Sequence, residues 1–275
     1  MTWQRVLTAL VLIPVVVAIV LCTPTWGVAV ATAVIILLAL REYFALGAAI
    51  GHRAYRLWTI LCAIFLVFAQ FLKSIASHDG AEFPWASLSF LPFVFGVACL
   101  TLWTKRPLVE SLPAAGVSSS ALLFVAFPLS FAIRLHGFPG QGPRLLLFAL
   151  AVIWASDTVA YFTGRAIGKH PLARHISPKK TWEGSIAGML GSLVVAYGFH
   201  YWLTIPIPDL LAMATLGNIA GQIGDLFESA CKRSAGVKDS GALLPGHGGV
   251  LDRIDALILC IPVIWYYLVL VHPHL

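Results

Sequence analysis

Two aspartates and an arginine open the last apolar run of the sequence, which reads GHGGVLDRIDALILCIPVIWYYLVLV from Gly246 to Val271. Asp252 and Asp255 are three residues apart, so a helix places both carboxylates on one face, near an N-terminus whose dipole favours anions. Hard carboxylate oxygens at a membrane border suit Mg²⁺, which usually takes one or two carboxylates together with substrate phosphates. A structural charge cluster that pairs with loop lysines is the alternative interpretation.

Two earlier apolar runs carry acidic groups toward the same side of the membrane. Asp157 stands about two turns before Arg165 in LLLFALAVIWASDTVAYFTGR. An ionisable group within a span costs about 2.5–3.5 kcal/mol at the helix centre and less near the interface, which favours a functional role over a structural one. Asp225, Glu228 and Ser229 follow at i, i+3 and i+4 in GNIAGQIGDLFESACKR and share one helix face. We expect the aspartates of all three runs at similar depth.

Basic and hydroxyl side chains gather in the loop HISPKKTWEGSIAG, which supplies Ser177, Lys179 and Lys180. Thr181 is predicted to cap the following helix, with Glu183 in its first turn. Lysines beside a helix N-terminus form a phosphate site. They also serve as simple anchors to the membrane surface, and the sequence leaves both interpretations open.

A second polar loop, SAGVKDSGALLPGHGG, is too rich in glycine and polar residues to be a membrane span. It carries Lys238, Asp239 and His247. The glycines around His247, including Gly248 and Gly249, allow the backbone to approach a ligand closely. We therefore expect His247 to contact a phosphate, although an isolated histidine more often has a structural role.

The elements that must position these groups are membrane helices. Of the 275 residues, 59% are hydrophobic and 11% charged, whereas a soluble domain carries about 25% charged residues. Apolar runs of nearly the ~20 residues that a helix needs to cross a bilayer recur along the chain. The sequence predicts an all-α polytopic integral membrane protein of about nine spans, at 6–23, 27–45, 57–73, 86–104, 117–135, 144–163, 184–203, 209–227 and 250–271.

The distribution of positive charge predicts the orientation of these spans. The net charge is +6, and 14 of the 18 lysines and arginines fall in the N-terminus and even-numbered loops. Three fall in the odd-numbered loops and the C-terminus, and Arg253 begins the last run. Because basic loops stay in the cytoplasm, we expect a cytoplasmic N-terminus and both polar loops in the cytoplasm. As the location we expect a plasma membrane, the inner membrane if the source is bacterial.

The two halves of the chain differ in composition. Residues 1–140 are plain apolar runs, which indicates a transmembrane helical scaffold, whereas polar and glycine-rich segments in 141–275 indicate the catalytic region. The five cysteines are scattered and show no CxxC spacing, so neither a zinc site nor a disulfide framework is predicted. No nucleic acid is expected as a partner.

The polar segments resemble those of the CDP-diacylglycerol synthases, or phosphatidate cytidylyltransferases. The family pattern of Ser, Lys-Arg, Lys-Asp, His-Gly-Gly and Asp-Arg-x-Asp reads SACKRSAGVKDSGALLPGHGGVLDRID here, from Ser229 to Asp255. The segments SDTVAYFTGR (156–165) and SPKKTWEG (177–184) also look like family segments, so the resemblance covers about 150–272. Cys231 departs from the family, which usually has a larger aliphatic residue there.

The resemblance implies transfer of a cytidylyl group from CTP to phosphatidic acid, which gives CDP-diacylglycerol and pyrophosphate in phospholipid biosynthesis. It also implies a homodimer and a Mg²⁺ centre on Asp225 and Asp252. The expected catalytic residues are Lys232, Arg233, Lys238, Asp239, His247, Arg253 and Asp255. The expected substrate-binding residues are Asp157, Ser177, Lys179, Lys180, Ser229, Gly248 and Gly249.

Two other classes of protein fit parts of this pattern. An ion-coupled transporter also has acidic residues inside the membrane, but its sites usually lie near the midplane, and here the acidic groups gather at one face. An enzyme that consumes CDP-diacylglycerol, or a polyprenol kinase, is the other rival. The CDP-alcohol transferases need a DGxxAR segment, which the sequence does not contain.

Overall fold

The computed structural model describes residues 2–76, 85–104, 107–243 and 248–272. This part of the chain forms ten α-helices and one short hairpin. A 3₁₀ turn, Leu108–Glu110, precedes α5, and a π-helical turn, Leu122–Ala126, joins α5 to α6. The elements are α1 (Thr2–Cys22), α2 (Thr25–Ala49), α3 (Arg56–Ala76), α4 (Trp85–Trp103), α5 (Ser111–Ala121), α6 (Phe127–His136), α7 (Gly142–Ile167), β1 (Pro171–Ala173), β2 (Ser177–Thr181), α8 (Trp182–Phe199), α9 (Ile207–Ser234) and α10 (Leu251–Val271).

Each predicted apolar run coincides with helix in the described residues, and the fifth run is the continuous segment from the 3₁₀ turn to α6. Six helical segments are long and apolar enough to cross a membrane: Thr25–Ala49, Arg56–Ile75, Leu108–His136, Gly142–Ile167, Ile207–Ser234 and Leu251–Val271. The apolar helices Leu10–Cys22 and Ser89–Trp103 are shorter. The all-α membrane protein is confirmed, whereas the count of nine spans stays a prediction.

Small residues bring α7 and α8 into close contact. A Cβ added at Gly188 would lie 2.8 Å from the Ser156 hydroxyl, and one at Gly184 would lie 2.8 Å from the Ala160 carbonyl oxygen. Small residues at a helix interface let the two backbones approach, which is a common way of packing helices in a membrane. Helix α7, which carries Asp157, and helix α8, which directly follows the lysine-bearing segment, are therefore held at a fixed separation.

A ladder of polar side chains joins α7, α8 and α9 inside the bundle. The Asn218 amide donates to the hydroxyl oxygens of Ser156 at 2.7 Å and Ser192 at 2.8 Å. Gln222 in turn donates to the Asn218 side-chain oxygen at 2.6 Å and accepts from the Ser185 hydroxyl. Interhelical hydrogen bonds of this kind contribute about 0.6–2 kcal/mol each in membrane proteins, so they fix the relative rotation of the three helices.

The N-terminal helices share one hydrophobic core with the C-terminal ones. The buried apolar residues form one cluster that runs from Val20 in α1 to Leu268 in α10. Across the contact of α6 with α10, the Arg134 guanidinium lies 4.4 Å from the centre of the Trp265 ring. The regions predicted at 1–140 and 141–275 are thus packed as a single bundle, and the division of roles between them stays a prediction.

Candidate active site

A cavity of about 620 Å³ opens at the end of the bundle where α7 and α9 finish and α8 begins. We call this the hairpin cavity, because the strands β1 and β2 form one of its walls. Helices α7, α8 and α9 form the others. It is lined by Ser156, Asp157, Ala160, Tyr161, Gly164, Arg165, Leu172, Lys179, Lys180, Thr181, Gly184, Ser185, Gln222 and Asp225. Four residues of the predicted site, Asp157, Lys179, Lys180 and Asp225, therefore meet here.

The lysines reach the cavity on a short antiparallel hairpin, which the sequence showed only as a polar loop. Pro171 pairs with Thr181 and Ala173 with Ser177. The predicted N-cap is confirmed, since the Thr181 hydroxyl oxygen accepts a hydrogen bond from the Gly184 N–H at 3.2 Å. The hairpin thus passes directly into α8, and its two lysines are positioned by the start of that helix.

A hydrogen-bonded contact between His170 and Glu183 at the base of the hairpin fixes it further. His170 Nδ1 lies 2.6 Å from Glu183 Oε1, and the Trp182 N–H donates to the His170 carbonyl at 2.9 Å. Hydrogen bonds from the Glu183 backbone N–H, and then from His170, lower the pKa of the Glu183 carboxyl to about 2. Glu183 is therefore an anion at the N-terminus of α8, where the helix dipole favours one.

Carboxylates from three helices converge beside the hairpin cavity. Asp225 Oδ2 forms an ion pair with Lys180, and the Ser229 hydroxyl lies 3.5 Å from Asp225 Oδ1. Asp157 interacts electrostatically with Asp225, Lys180 and the exposed Arg253. Asp255 interacts in the same way with Asp225 and Asp157. Asp157 of α7 and Asp225 of α9 thus line one cavity, and Asp255 of α10 is near enough to interact with both.

Close packing of α9 and α10 brings Asp255 to this position. A Cβ added at Gly224 would lie 2.6 Å from the Asp255 carbonyl oxygen, so only glycine allows the two backbones this separation. The Asp255 side chain bends back onto its own helix and accepts from the Ala256 N–H at 2.7 Å. The start of α10 at Asp255 therefore lies against α9 at Gly224, one residue before Asp225.

Lys232 lies in a buried ion cluster with Glu228 of α9 and Asp252 of α10. Its Nζ is 2.5 Å from both Glu228 Oε2 and Asp252 Oδ1, and the three side chains are 10%, 4% and 5% exposed. Glu228 Oε1 has no hydrogen-bond donor among the described residues. Sequence reasoning placed Glu228 on the right helix face without assigning it a role. The available signal for a role of Glu228 was that a charged residue stands in a turn of the helix that is buried.

The second oxygen of Asp252 holds the segment between α9 and α10, which we call the signature loop (residues 235–250, of which 235–243 and 248–250 are described). Asp252 Oδ2 accepts from the Ser240 N–H at 2.9 Å, the Ser240 hydroxyl at 3.0 Å and the Gly249 N–H at 2.8 Å. Gly248 has φ +78°, and a Cβ there would lie 2.5 Å from Asp252 Oδ2. The close approach that Gly248 and Gly249 allow is therefore made by the protein's own carboxylate.

The other predicted site residues have different surroundings. Arg233 is exposed and donates to the Ile176 carbonyl at 3.3 Å and the Val237 carbonyl at 3.1 Å, so it links the signature loop to the hairpin. Lys238 and Asp239 are exposed on the signature loop. His247 lies outside the described residues. Their expected roles toward substrate stay predictions.

A glutamate from the N-terminal half also belongs to this region, and sequence reasoning missed it. Glu42 on α2 is buried, and its oxygens accept from the N–H groups of Val250 at 2.9 Å and Leu251 at 2.8 Å. It also accepts from the Ser240 hydroxyl at 2.8 Å. The signal was a charge within the predicted span 27–45, the same criterion that singled out Asp157.

The donor chemistry fits a divalent cation at Asp225 better than at Asp252. No three His, Cys, Asp or Glu side chains in the described ranges stand close enough to hold a metal by themselves. Mg²⁺ needs fewer, because it usually combines one or two carboxylates with substrate phosphates. Asp157 and Asp225 present hard oxygens to the cavity, whereas both oxygens of Asp252 are engaged by protein donors.

A family model described as the cytidylyltransferase family matches residues 3–271 of the chain. This match takes in all ten helices and the hairpin. The protein, an all-α membrane protein with a polar cavity at one end of its bundle, therefore belongs to the cytidylyltransferase family.

The chain is also similar to curated proteins that carry the name phosphatidate cytidylyltransferase. The protein from Haemophilus influenzae is 40% identical over 192 residues, which are 66% of this chain and 65% of that protein. The one from Bacillus subtilis is 38% identical over 178 residues, 63% of this chain and 66% of that protein. The one from Synechocystis is 31% identical over 301 residues, with 99% and 98% covered. The first two matches thus span slightly less than two thirds of the relatives' length, and the family resemblance found in the sequence is confirmed.

Proposed function

We propose that this protein is a phosphatidate cytidylyltransferase, which transfers the cytidylyl group of CTP to phosphatidic acid and releases pyrophosphate. The observation that carries the proposal is the hairpin cavity, which Lys179 and Lys180 line together with Asp157 and Asp225. A cavity with basic and acidic walls at one end of a membrane bundle suits a lipid phosphate that meets a soluble nucleotide. Membership of the cytidylyltransferase family supports the same reaction class.

The chemistry requires little from the protein beyond holding two anions together. A phosphate monoester has a second pKa near ~6 and is largely a dianion at neutral pH, so the phosphatidate oxygen attacks the α-phosphorus of CTP without a general base. A new P–O bond forms to the lipid phosphate, and the bond from the α-phosphorus to the bridging oxygen of pyrophosphate breaks. Positioning the reactants in line and stabilising the leaving group account for the rate.

The described side chains divide this work between them. Lys179, Lys180 and Arg165 line the cavity and offset the charge of the two phosphates. Lys232 is held by Glu228 and Asp252, so its role is to orient those carboxylates and the helix end that carries Asp225. Lys238, Asp239 and His247 complete the proposed substrate contacts from the signature loop.

Mg²⁺ is the proposed cofactor, held by Asp225 with Asp157 beside it, and with Asp252 as the predicted second ligand. When bound, the ion would neutralise phosphate charge and stabilise the departing pyrophosphate. Lys180 already contacts Asp225, so this lysine is suited to move between the carboxylate and a bound phosphate. Binding of Mn²⁺ to purified protein, followed by its spin-resonance signal, tests the ligand set independently of turnover.

The membrane arrangement proposed here has nine spans, a cytoplasmic N-terminus, a cytoplasmic hairpin cavity, a bacterial inner membrane location and a homodimer. The support for the orientation is the bias of 14 basic residues against 3. A cysteine placed at Lys238 in a cysteine-free variant should resist an impermeant maleimide in sealed cells and react after permeabilisation. Rapid labelling of folded protein in sealed cells would reverse the orientation.

The activity is tested with purified protein in detergent, given α-labelled CTP, phosphatidic acid and Mg²⁺. We expect label to enter lipid and pyrophosphate to appear in equal amount. Omitting phosphatidic acid should abolish both products. Release of pyrophosphate without lipid labelling, or no reaction with CTP at all, would contradict the proposal.

A further inference from the structure

Glu42 makes long-range contacts that its place in an apolar N-terminal helix does not suggest. It lies on α2, and its partners are Ser240, Val250 and Leu251, at least 198 positions away in the sequence. Glu42 is not one of the described residues that line the hairpin cavity. Through these contacts, Glu42 can influence a reaction by way of the signature loop and the start of α10.

The first effect of Glu42 is to cap α10. The first N–H groups of a helix have no partner within the helix, and the side chain of the N-cap residue Val250 supplies none. Glu42 Oε1 accepts from the Val250 N–H and Oε2 from the Leu251 N–H, at 2.9 and 2.8 Å. A carboxylate from another helix therefore performs the capping that a local Asp or Ser usually performs.

The second effect is to fix the path of the signature loop. A Cβ added at Gly241 would lie 2.7 Å from Glu42 Oε1, and one at Gly249 would overlap Glu42 Oε2. The loop backbone thus passes directly against the carboxylate on two sides. A side chain at either position would have to displace this carboxylate from the hydrogen bonds that it accepts.

The third effect couples Glu42 to Asp252. The Ser240 hydroxyl lies 2.8 Å from Glu42 Oε2 and 3.0 Å from Asp252 Oδ2. One hydroxyl proton serves one acceptor at a time, so a change at Glu42 alters what Asp252 receives. Asp252 Oδ1 in turn holds Lys232. A continuous chain of polar contacts therefore runs from α2 to the ion cluster of α9.

We propose that Glu42 is a positioning residue for cytidylyl transfer, which acts by holding the signature loop, Asp252 and Lys232 in one arrangement. The proposal depends on the proposed function for its catalytic part. Its loop-holding part stands on the contacts alone. Glu42→Gln should lower kcat by a larger factor than it raises the KM for CTP, because the residues that line the hairpin cavity stay in place.

Asp209 offers a matched control at the opposite end of the bundle. Asp209 is on α9, and its carboxylate links the start of that helix to the end of α10. It accepts from the Tyr267 hydroxyl at 2.8 Å and lies 3.0 Å from His272 Nε2. Glu42→Gln and Asp209→Asn each remove one charge and keep the size of the side chain. A purely structural effect should appear in both variants, whereas positioning should appear only in the first.

The test measures kcat, KM for CTP, melting temperature and amide hydrogen exchange for wild type, Glu42→Gln and Asp209→Asn in detergent. We expect kcat of Glu42→Gln to fall about 10–100-fold, the range seen when supporting hydrogen bonds of a site are removed. Exchange should speed up at Ser240 and at Gly249 to Leu251 in this variant and not in Asp209→Asn. If Glu42→Gln does not fold, Ser240→Ala takes its place in the test, because this variant keeps the cap of α10. We expect its loss of kcat to be smaller than the one given for Glu42→Gln.

Three results would overturn the proposal. They are an unchanged kcat in folded Glu42→Gln, an equal loss of kcat in Asp209→Asn, and unchanged exchange in the signature loop. If the wild-type protein transfers no cytidylyl group, the proposed function fails by itself. The exchange comparison then still decides whether Glu42 holds the loop.

Discussion

The hairpin cavity and the ion cluster around Lys232 contain similar residues in different surroundings. In the cavity, Lys180 and Asp225 form an ion pair with side chains 30% and 26% exposed. In the cluster, Lys232 and Asp252 are 10% and 5% exposed. Asp252 also accepts from the N–H groups of Ser240 and Gly249 and shares the Ser240 hydroxyl with Glu42. Groups that face a cavity keep capacity for a ligand, whereas groups saturated by protein donors maintain the structure around it. From this comparison we propose a binding role for the first pair and a positioning role for the second.

The largest expected effect follows from removing the Asp225 carboxylate. Asp225→Asn should lower kcat by about 10²–10³-fold, as loss of one group that stabilises transition-state charge does elsewhere. Its melting temperature should change little, because a partly exposed ion pair contributes only about 0–1 kcal/mol. Turnover and a melting curve on the same preparation check both statements. A large fall in melting temperature with normal kcat would give Asp225 the structural role.

Asp252→Asn should affect stability and turnover together. It leaves Lys232 with Glu228 as its single carboxylate contact and weakens the hold on Ser240 and Gly249. Breaking a buried ion pair costs about 3–5 kcal/mol, so the melting temperature should fall clearly.

A Mg²⁺ titration of the same variant examines the predicted metal role. If Asp252 also binds Mg²⁺, added metal should restore part of the kcat. Turnover that stays low at every Mg²⁺ concentration would confine Asp252 to positioning. Near-normal kcat in a well-folded variant would exclude both roles.

Lys179 in the hairpin cavity and Lys238 on the signature loop should differ in how strongly their removal changes the affinity for CTP. Lys179→Ala removes a cation that lines the hairpin cavity, and we expect the KM for CTP to rise several-fold. Lys238→Ala removes an exposed cation on the signature loop, and a smaller rise is expected. Steady-state kinetics of both variants at the same ionic strength gives the two KM values for this comparison. A larger effect for Lys238 would shift nucleotide binding from the hairpin to the signature loop.

The smallest effect concerns the base of the hairpin and its dependence on pH. The folded pKa of Glu183 is about 2, below its ordinary 4.5. Its stabilising contribution is therefore complete above about pH 4.5 and is lost as the pH falls toward 2. Glu183→Gln should lower the melting temperature slightly at pH 7. The difference from wild type should shrink at pH 3, and a difference that grows on acidification would contradict the assignment.

Sequence reasoning succeeded where local pattern determines structure. The apolar runs indicated the helices, and Thr181 followed by Glu183 indicated the start of α8. The spacing of Asp225 and Glu228 indicated a shared helix face, and both residues take part in the polar region at one end of the bundle.

Contacts between distant parts of the chain were beyond this reasoning. Glu42 meets its partners across about 200 residues, and no period in the sequence relates them. The Asn218 ladder joins three helices whose rotation only packing decides. The glycines at 248 and 249 indicated a close approach, but the approaching group proved to be the protein's own carboxylates.

The central claim is that the hairpin cavity holds the nucleotide, and substrate protection tests it most directly. Tyr161 lines the cavity and is 58% exposed, whereas Tyr201 lies beyond the far end of α8 and is 77% exposed. Each is replaced by cysteine in a cysteine-free variant, and maleimide labelling is timed with and without CTP and Mg²⁺. The account predicts that CTP slows labelling at position 161 about tenfold and leaves position 201 unchanged. Equal rates at position 161, at CTP concentrations that support turnover, would contradict it.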